Sequence, residues 1–244
     1  MKHLKFYMVL CCLLAVFMAS VKQNKPNDET KNNNVGQHNT ESSVTTGIEN
    51  GHVWVDLGLP DGLKWATCNV GADKPEAYGD YFAWGEVVAK NIYNWSNYRL
   101  GSDYDKLAKY CTDIEHGFVD NKIVIESEDD VARVNWGGAW RLPTDEEWTD
   151  LRKNCTWTWF TRNKVEGYEV KGPNGNSIFL PAAGFRYDDY LHYAGNNGYY
   201  WASSLDSDYP DDAWYVYFCS DWVLGGSGYR YYGLSVRPVL KNKS

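Results

Sequence analysis

The sequence predicts an α+β domain, with two helices set among mainly antiparallel strands and a disordered spacer ahead of it. Three observations carry that expectation. Early in the chain, Pro60-Asp61-Gly62 separates two apolar runs, which is hairpin chemistry. Two helix starts then follow each other between residues 126 and 154. The last third alternates aromatic and β-branched runs with Gly and Asn turns. Strands, then helices, then strands again is the α+β order, not the regular strand–helix alternation of an α/β fold.

The chain starts with Lys2 and Lys5 and an apolar run from Phe6 to Met18. This is the pattern of a signal peptide over residues 1–20, and the run is too short to span a bilayer. Cys11 and Cys12 lie too deep in the run for a lipoprotein signal, and Val21 stands where such a signal needs its cysteine. Residues 21–50 are polar and almost free of large apolar side chains, so they read as a disordered spacer. The globular domain is expected over residues 51–240. No later apolar stretch approaches membrane length, so no transmembrane segment follows the signal.

Within the domain, Val53–Leu57 and Leu63–Val70 form the first hairpin. Tyr78–Trp84 is dense in aromatic residues and is expected over the core. From Ala89 to Phe118, tyrosines and Trp95 are scattered among polar residues, which reads as a long surface excursion. A helix is expected at about 126–136, with its acidic start at the positive helix end, Val131, Val134 and Asn135 on one face and Trp136 close by. Gly137-Gly138 stops it. The second helix, 144–154, is the best specified element. Thr144 and Glu147 make a capping box, Asp145 and Glu146 fill the first turn, and Trp148 and Leu151 lie one turn apart. Pro143 forces Leu142 into extended geometry just before it.

Later strands are expected at 168–170, 177–180, 199–203, 214–218 and 233–237. Gly172-Pro173-Asn174-Gly175-Asn176 turns the first two into a hairpin. Gly225-Gly226-Ser227-Gly228 reads as a flexible loop.

Several stretches carry a resemblance. Arg141-Leu142-Pro143-Thr144-Asp145-Glu146-Glu147-Trp148 is similar to a signature of C-type-lectin-like folds of the formylglycine-generating-enzyme type. Val55–Thr67, Tyr78–Glu86, Gly172–Gly184 and Tyr232–Pro238 resemble, in the same order, the Fibrobacter succinogenes major paralogous domain family. The resemblance runs from about Val53 to Val239. It implies a C-type-lectin-like domain in which the first and last strands pair. It also implies an exported bacterial protein without an established activity.

Composition narrows the function. The formal net charge is −8, which disfavours nucleic acid as a partner. Aromatic residues make up 16% of the chain, with 12 Trp and 19 Tyr, more than a core needs. Some should be displayed for binding. Cys68, Cys111, Cys155 and Cys219 permit three full disulfide pairings, and the sequence does not choose among them. The five histidines are isolated and no Cys-x-x-Cys occurs, so no metal centre is read. No catalytic set or cofactor motif is read either. Asp206, Asp208, Asp211 and Asp212 crowd one loop, which reads as a solvated acidic turn rather than a calcium site.

The expected function is a binding or adhesion module in the periplasm, at the cell surface or outside the cell, with a glycan or protein ligand. The alternatives are an oxidoreductase of the formylglycine-generating type and a structural surface component. The enzymes of that resembled branch use cysteines close together late in the chain, and only Cys219 lies late here. Two segments rich in aromatic and polar residues suggest the contact set: Tyr187, Tyr190, His192 and Tyr193 in one, Trp222 and Arg230 in the other.

Overall fold

The computed structural model describes residues 46–241. The expected signal peptide and residues 21–45 of the expected spacer lie outside them. Within the compact unit Ser42–Ser244, the fold is α+β, mostly antiparallel sheet with two helices.

The first strand corrects the spacer boundary. Thr46–Glu49 (β1) pairs antiparallel with His52–Asp56 (β2) through Asn50-Gly51, both at positive φ. Asn-Gly is the preferred pair for such a two-residue turn. Few apolar residues precede it, so composition alone assigned the segment to the spacer. The turn is also anchored from outside. Asn50 donates to the Trp136 carbonyl, the Trp140 indole donates to Glu49 O at 2.9 Å, and His52 stacks on Trp136 with centroids 3.7 Å apart.

The expected first hairpin is present, with β2 paired to Lys64–Ala66 (β3). Helix α1 is shorter than expected, Val131–Trp136 only. The physical reason is Asp130. Its Oδ1 caps the Ala132 and Arg133 amides and its Oδ2 accepts from Leu142 N at 2.8 Å, so the helix starts at the last of the acidic residues. The buried face is Val131, Ala132 and Trp136, while Val134 and Asn135 face out, which corrects the expected face.

Helix α2, Asp145–Asn154, has the expected cap. Glu147 N donates to Thr144 Oγ1 at 3.2 Å and Thr144 N donates to the Glu147 carboxylate at 2.8 Å. Arg141 completes the corner by gripping Glu147 with both guanidinium nitrogens.

Thr156–Arg162 (β4), Val165–Lys171 (β5) and Ser177–Pro181 (β6) make one meander, with the expected turn between β5 and β6. Phe185–Tyr187 (β7) and Tyr190–His192 (β8) form a short hairpin. Gly198–Leu205 (β9), Asp212–Cys219 (β10) and Trp222–Tyr229 (β11) form a sheet in the order β11-β10-β9. The expected flexible loop at Gly225–Gly228 is therefore the middle of a strand. Residues 233–235 make isolated bridges where the strand 233–237 is expected. The last strand, Val239–Leu240 (β12), pairs with β3 rather than, as the resemblance implied, with the first strand, although both lie in one sheet.

Alternation along β9 and β10 builds two cores. Tyr199, Trp201 and Tyr215 enter one, and Tyr200, Val216 and Phe218 enter the other, with Trp148 and Leu151 of α2. The expected surface excursion between Ala89 and Phe118 is irregular but not superficial, since Tyr93, Tyr98 and Tyr110 are buried in the first core and Leu107 is buried as well.

An ion cluster ties this segment to α1. Asp129 is buried and accepts from Lys109 Nζ at 2.6 Å, from Tyr110 Oη at 2.7 Å and from Arg99. Burial opposes its ionisation, yet the hydrogen bonds from Lys109, Arg99 and Tyr110 hold its pKa below the ordinary 3.8. A carboxyl that ionises more readily when folded adds stability above pH 3.8, and that stability is lost as pH falls through the folded value. Because Lys109 and Arg99 are partly exposed, Asp129→Asn should cost about 2 kcal/mol at neutral pH, the lower part of the range for buried charged partners. The Tm difference from the natural chain should narrow below pH 3.8. A difference that stays constant down to about pH 2 would contradict this account.

Candidate functional site

The β7–β8 hairpin is a two-residue turn, Asp188-Asp189, with Tyr187 and Tyr190 paired across its end. Asp188 takes φ of 49°, a left-handed conformation that Asp tolerates better than most residues. The neighbouring chain holds that tip. Tyr93 and Asp188 exchange backbone hydrogen bonds of 2.9 Å in both directions, and Asn94 Nδ2 donates to Asp188 Oδ1 at 2.8 Å. On its other side, Arg186 exchanges backbone bonds with Gly233. A Cβ at Gly233 would lie 2.7 Å from the Tyr93 ring, so only glycine lets these three segments meet.

The rings on this frame are displayed. Tyr190 is 66% exposed, Tyr193 is 50% and Tyr187 is 41%. Beneath them His192 stacks on Phe185, with centroids 5.2 Å apart, and lies 6.2–6.3 Å from Tyr187, Tyr190 and Tyr193. Its Nε2 is buried and has no hydrogen-bond partner among the described residues. Buried polar atoms are normally paired, so this nitrogen is an exception beneath the displayed rings.

The patch widens through Tyr232, which packs edge-on to Phe185 and Tyr187. Tyr229 stacks on Tyr231, and Trp95 meets both edge-on. Burial pushes the Tyr232 hydroxyl up to about 12, so it stays a neutral donor and acceptor across the physiological range.

The six expected contact residues divide. Tyr187, Tyr190, His192 and Tyr193 come together on the hairpin. Trp222 joins them only through a chain of rings, Phe185 to Tyr199 to Tyr217 to Trp222, with steps of 5.0, 6.0 and 4.9 Å. Arg230 does not belong to the set. It is fully buried, and its guanidinium donates to Tyr98 Oη and to the carbonyls of Tyr110, Pro210 and Lys109, all at 2.9–3.0 Å. The Trp84, Tyr98 and Tyr110 rings surround it. Four of its five N–H donors are taken up inside the protein.

Sequence reasoning also missed contributors to this site. Trp95 and the tip-holding Asn94 lie in the stretch read as a surface excursion. The signal was the density of rings at Tyr93, Trp95 and Tyr98.

The acidic loop is not a solvated turn. Asp206 and Asp211 are buried, Asp206 Oδ1 accepts from Asp208 N, and His116 Nε2 lies 3.5 Å from Asp211. Among the described residues, no group of three or more His, Cys, Asp or Glu is placed to hold a metal ion. Cys68, Cys111, Cys155 and Cys219 carry free thiols, with Cys219 half-buried at the end of β10.

A groove of about 450 Å³ lies beside the β1–β2 turn, lined by Glu49, Arg133, Gly138, Ala139, Arg141 and Lys241. Its polar groups largely serve the fold. Glu49 accepts from Ala139 N, Arg133 donates to Gly138 O, and Arg141 is bound to Glu147. No helix among the described residues is long and apolar enough to cross a membrane.

No family model, curated protein or solved structure matches this chain.

Proposed function

We propose that this chain is an exported binding or adhesion module with a C-type-lectin-like fold, and that it takes a glycan on the aromatic hairpin. The observation that carries the reading is the group of displayed tyrosines, Tyr187, Tyr190 and Tyr193, gathered on one short hairpin. The apolar C–H face of a sugar packs against the electron-rich face of an aromatic ring, while its hydroxyls need fixed hydrogen-bonding groups nearby. The hairpin offers both, with Asp189 and the Tyr232 hydroxyl at its margin. Short pairing partners on both sides of β7 hold the rings in place, which lowers the ordering cost of binding.

Export rests on the Lys2/Lys5 and Phe6–Met18 pattern. The fold reading rests on the Arg141–Trp148 signature, which lies at a capped helix start.

The purified chain should bind members of a glycan array and retain one in calorimetry. Tyr190→Ala should weaken that binding about five- to tenfold, which corresponds to about 1 to 1.4 kcal/mol, with Tm unchanged. An affinity unaltered by Tyr190→Ala and Tyr187→Ala would refute the assignment. So would binding confined to protein ligands.

A further inference from the structure

The strand β11 ends its sheet, and among the described residues its backbone pairs only with β10. Residues 222–228 read Trp-Val-Leu-Gly-Gly-Ser-Gly. An open edge of this length is a template for another strand, and natural proteins usually blunt such an edge with charge, proline or a bulge. Here there is no charge and no proline between Trp222 and Tyr229, and the register with β10 runs unbroken over eight pairs. The edge therefore calls for an extended partner, and the order of side-chain sizes along it selects one.

We propose that β11 is a self-association edge, on which two copies of this chain join antiparallel with Gly225 opposite Gly225. In that register Trp222 lies opposite Gly228, Val223 opposite Ser227 and Leu224 opposite Gly226. The bulky first half of each strand meets the small second half of the other. Moving the centre one residue either way sets Leu224 against its own copy, or Trp222 against the buried Arg230. The centred register also sets Asp221 opposite Tyr229 rather than opposite a second Asp221, so these two carboxylates do not meet across the seam.

Faces agree as well. Residues opposite each other in β11 and β10 share a face, so Trp222, Leu224, Gly226 and Gly228 lie on the face of Tyr215 and Tyr217. A Cβ at Gly226 or Gly228 would come within 3.1 Å of those two rings, which rest over the glycine backbone. On the other face, a Cβ at Gly225 would come within 3.0 Å of Arg152 of α2. A two-fold axis normal to the sheet keeps like faces together. It joins two three-stranded sheets into one of six strands, and both aromatic hairpins end on the same side. Trp222 then belongs to the seam, which explains why only a relay of rings connects it with the hairpin.

The register can be read directly by cross-linking. Directly opposed Cα atoms in an antiparallel pair are about 4.5 to 5.5 Å apart, within disulfide reach, whereas diagonal neighbours two residues off stand about 7–8 Å apart. Under mild oxidation of the full chain, Gly225→Cys should form a covalent dimer well beyond the natural chain's background, and Leu224→Cys should not. In sedimentation equilibrium the natural chain should be dimeric, and Leu224→Glu, a change at a 46% exposed side chain, should be monomeric with an unchanged circular dichroism spectrum. A natural chain that sediments as a monomer at its highest soluble concentration would overturn the proposal. So would Leu224→Cys cross-linking as readily as Gly225→Cys. So would an unrelated extended peptide binding β11 while the chain itself stays monomeric.

Discussion

One buried guanidinium holds the irregular half of this domain to its regular half. Arg230 follows β11 directly, and its four hydrogen bonds reach Tyr98, Lys109, Tyr110 and Pro210, in segments that have no sheet or helix of their own at those points. A guanidinium presents five donors in a planar fork, which suits a ring of carbonyl oxygens better than any other side chain. Among the described residues, no carboxylate pairs with Arg230. Carbonyl dipoles and three aromatic faces do so instead. Burying such a group is costly unless its donors find acceptors, and four of the five do so here, which constrains the surrounding loops.

That constraint reaches the candidate site. Tyr98 anchors the end of the segment that carries Trp95 and Asn94, and Tyr93-Asn94 fixes the tip of the β7–β8 hairpin. A second guanidinium does comparable work between the sheets. Arg237 is fully buried and donates to Asn69, to the carbonyls of Ala66 and Thr67, and to Phe179 of β6. The indoles help in the same way. Trp84 donates to Ala202 O and Trp201 to Phe82 O, so each side of the first core is bonded to the other. The surplus of aromatic residues therefore splits in two. Part clamps irregular backbone in the interior, and part is displayed on the hairpin.

The sequence was most legible where local chemistry decides structure. The Thr144–Glu147 cap and the Gly172–Asn176 turn were both visible, because each is set by a few adjacent residues. Legibility failed where a distant partner decides. Nothing near Asn50 tells that Trp136 and Trp140 will receive the β1–β2 turn. The glycines of β11 suggest a loop until Tyr215 and Tyr217 of β10 lie across them. Arg230, flanked by tyrosines, resembled a ligand-binding cation, and only its four internal acceptors show otherwise. Some signals were present and passed over. Thr156-Trp157-Thr158-Trp159 alternates with a period of two, and it is the start of β4.

Hydrogen–deuterium exchange on Arg230→Lys tests the central claim most directly. Lysine keeps the charge but not the planar fork, so the carbonyls of Lys109, Tyr110 and Pro210 cannot all be satisfied at once. The account predicts faster exchange over residues 93–111, 206–212 and the 185–193 hairpin, with protection in β4–β6 unchanged. Unaltered exchange in residues 93–111, or an equal loss of protection across the whole domain, would contradict it.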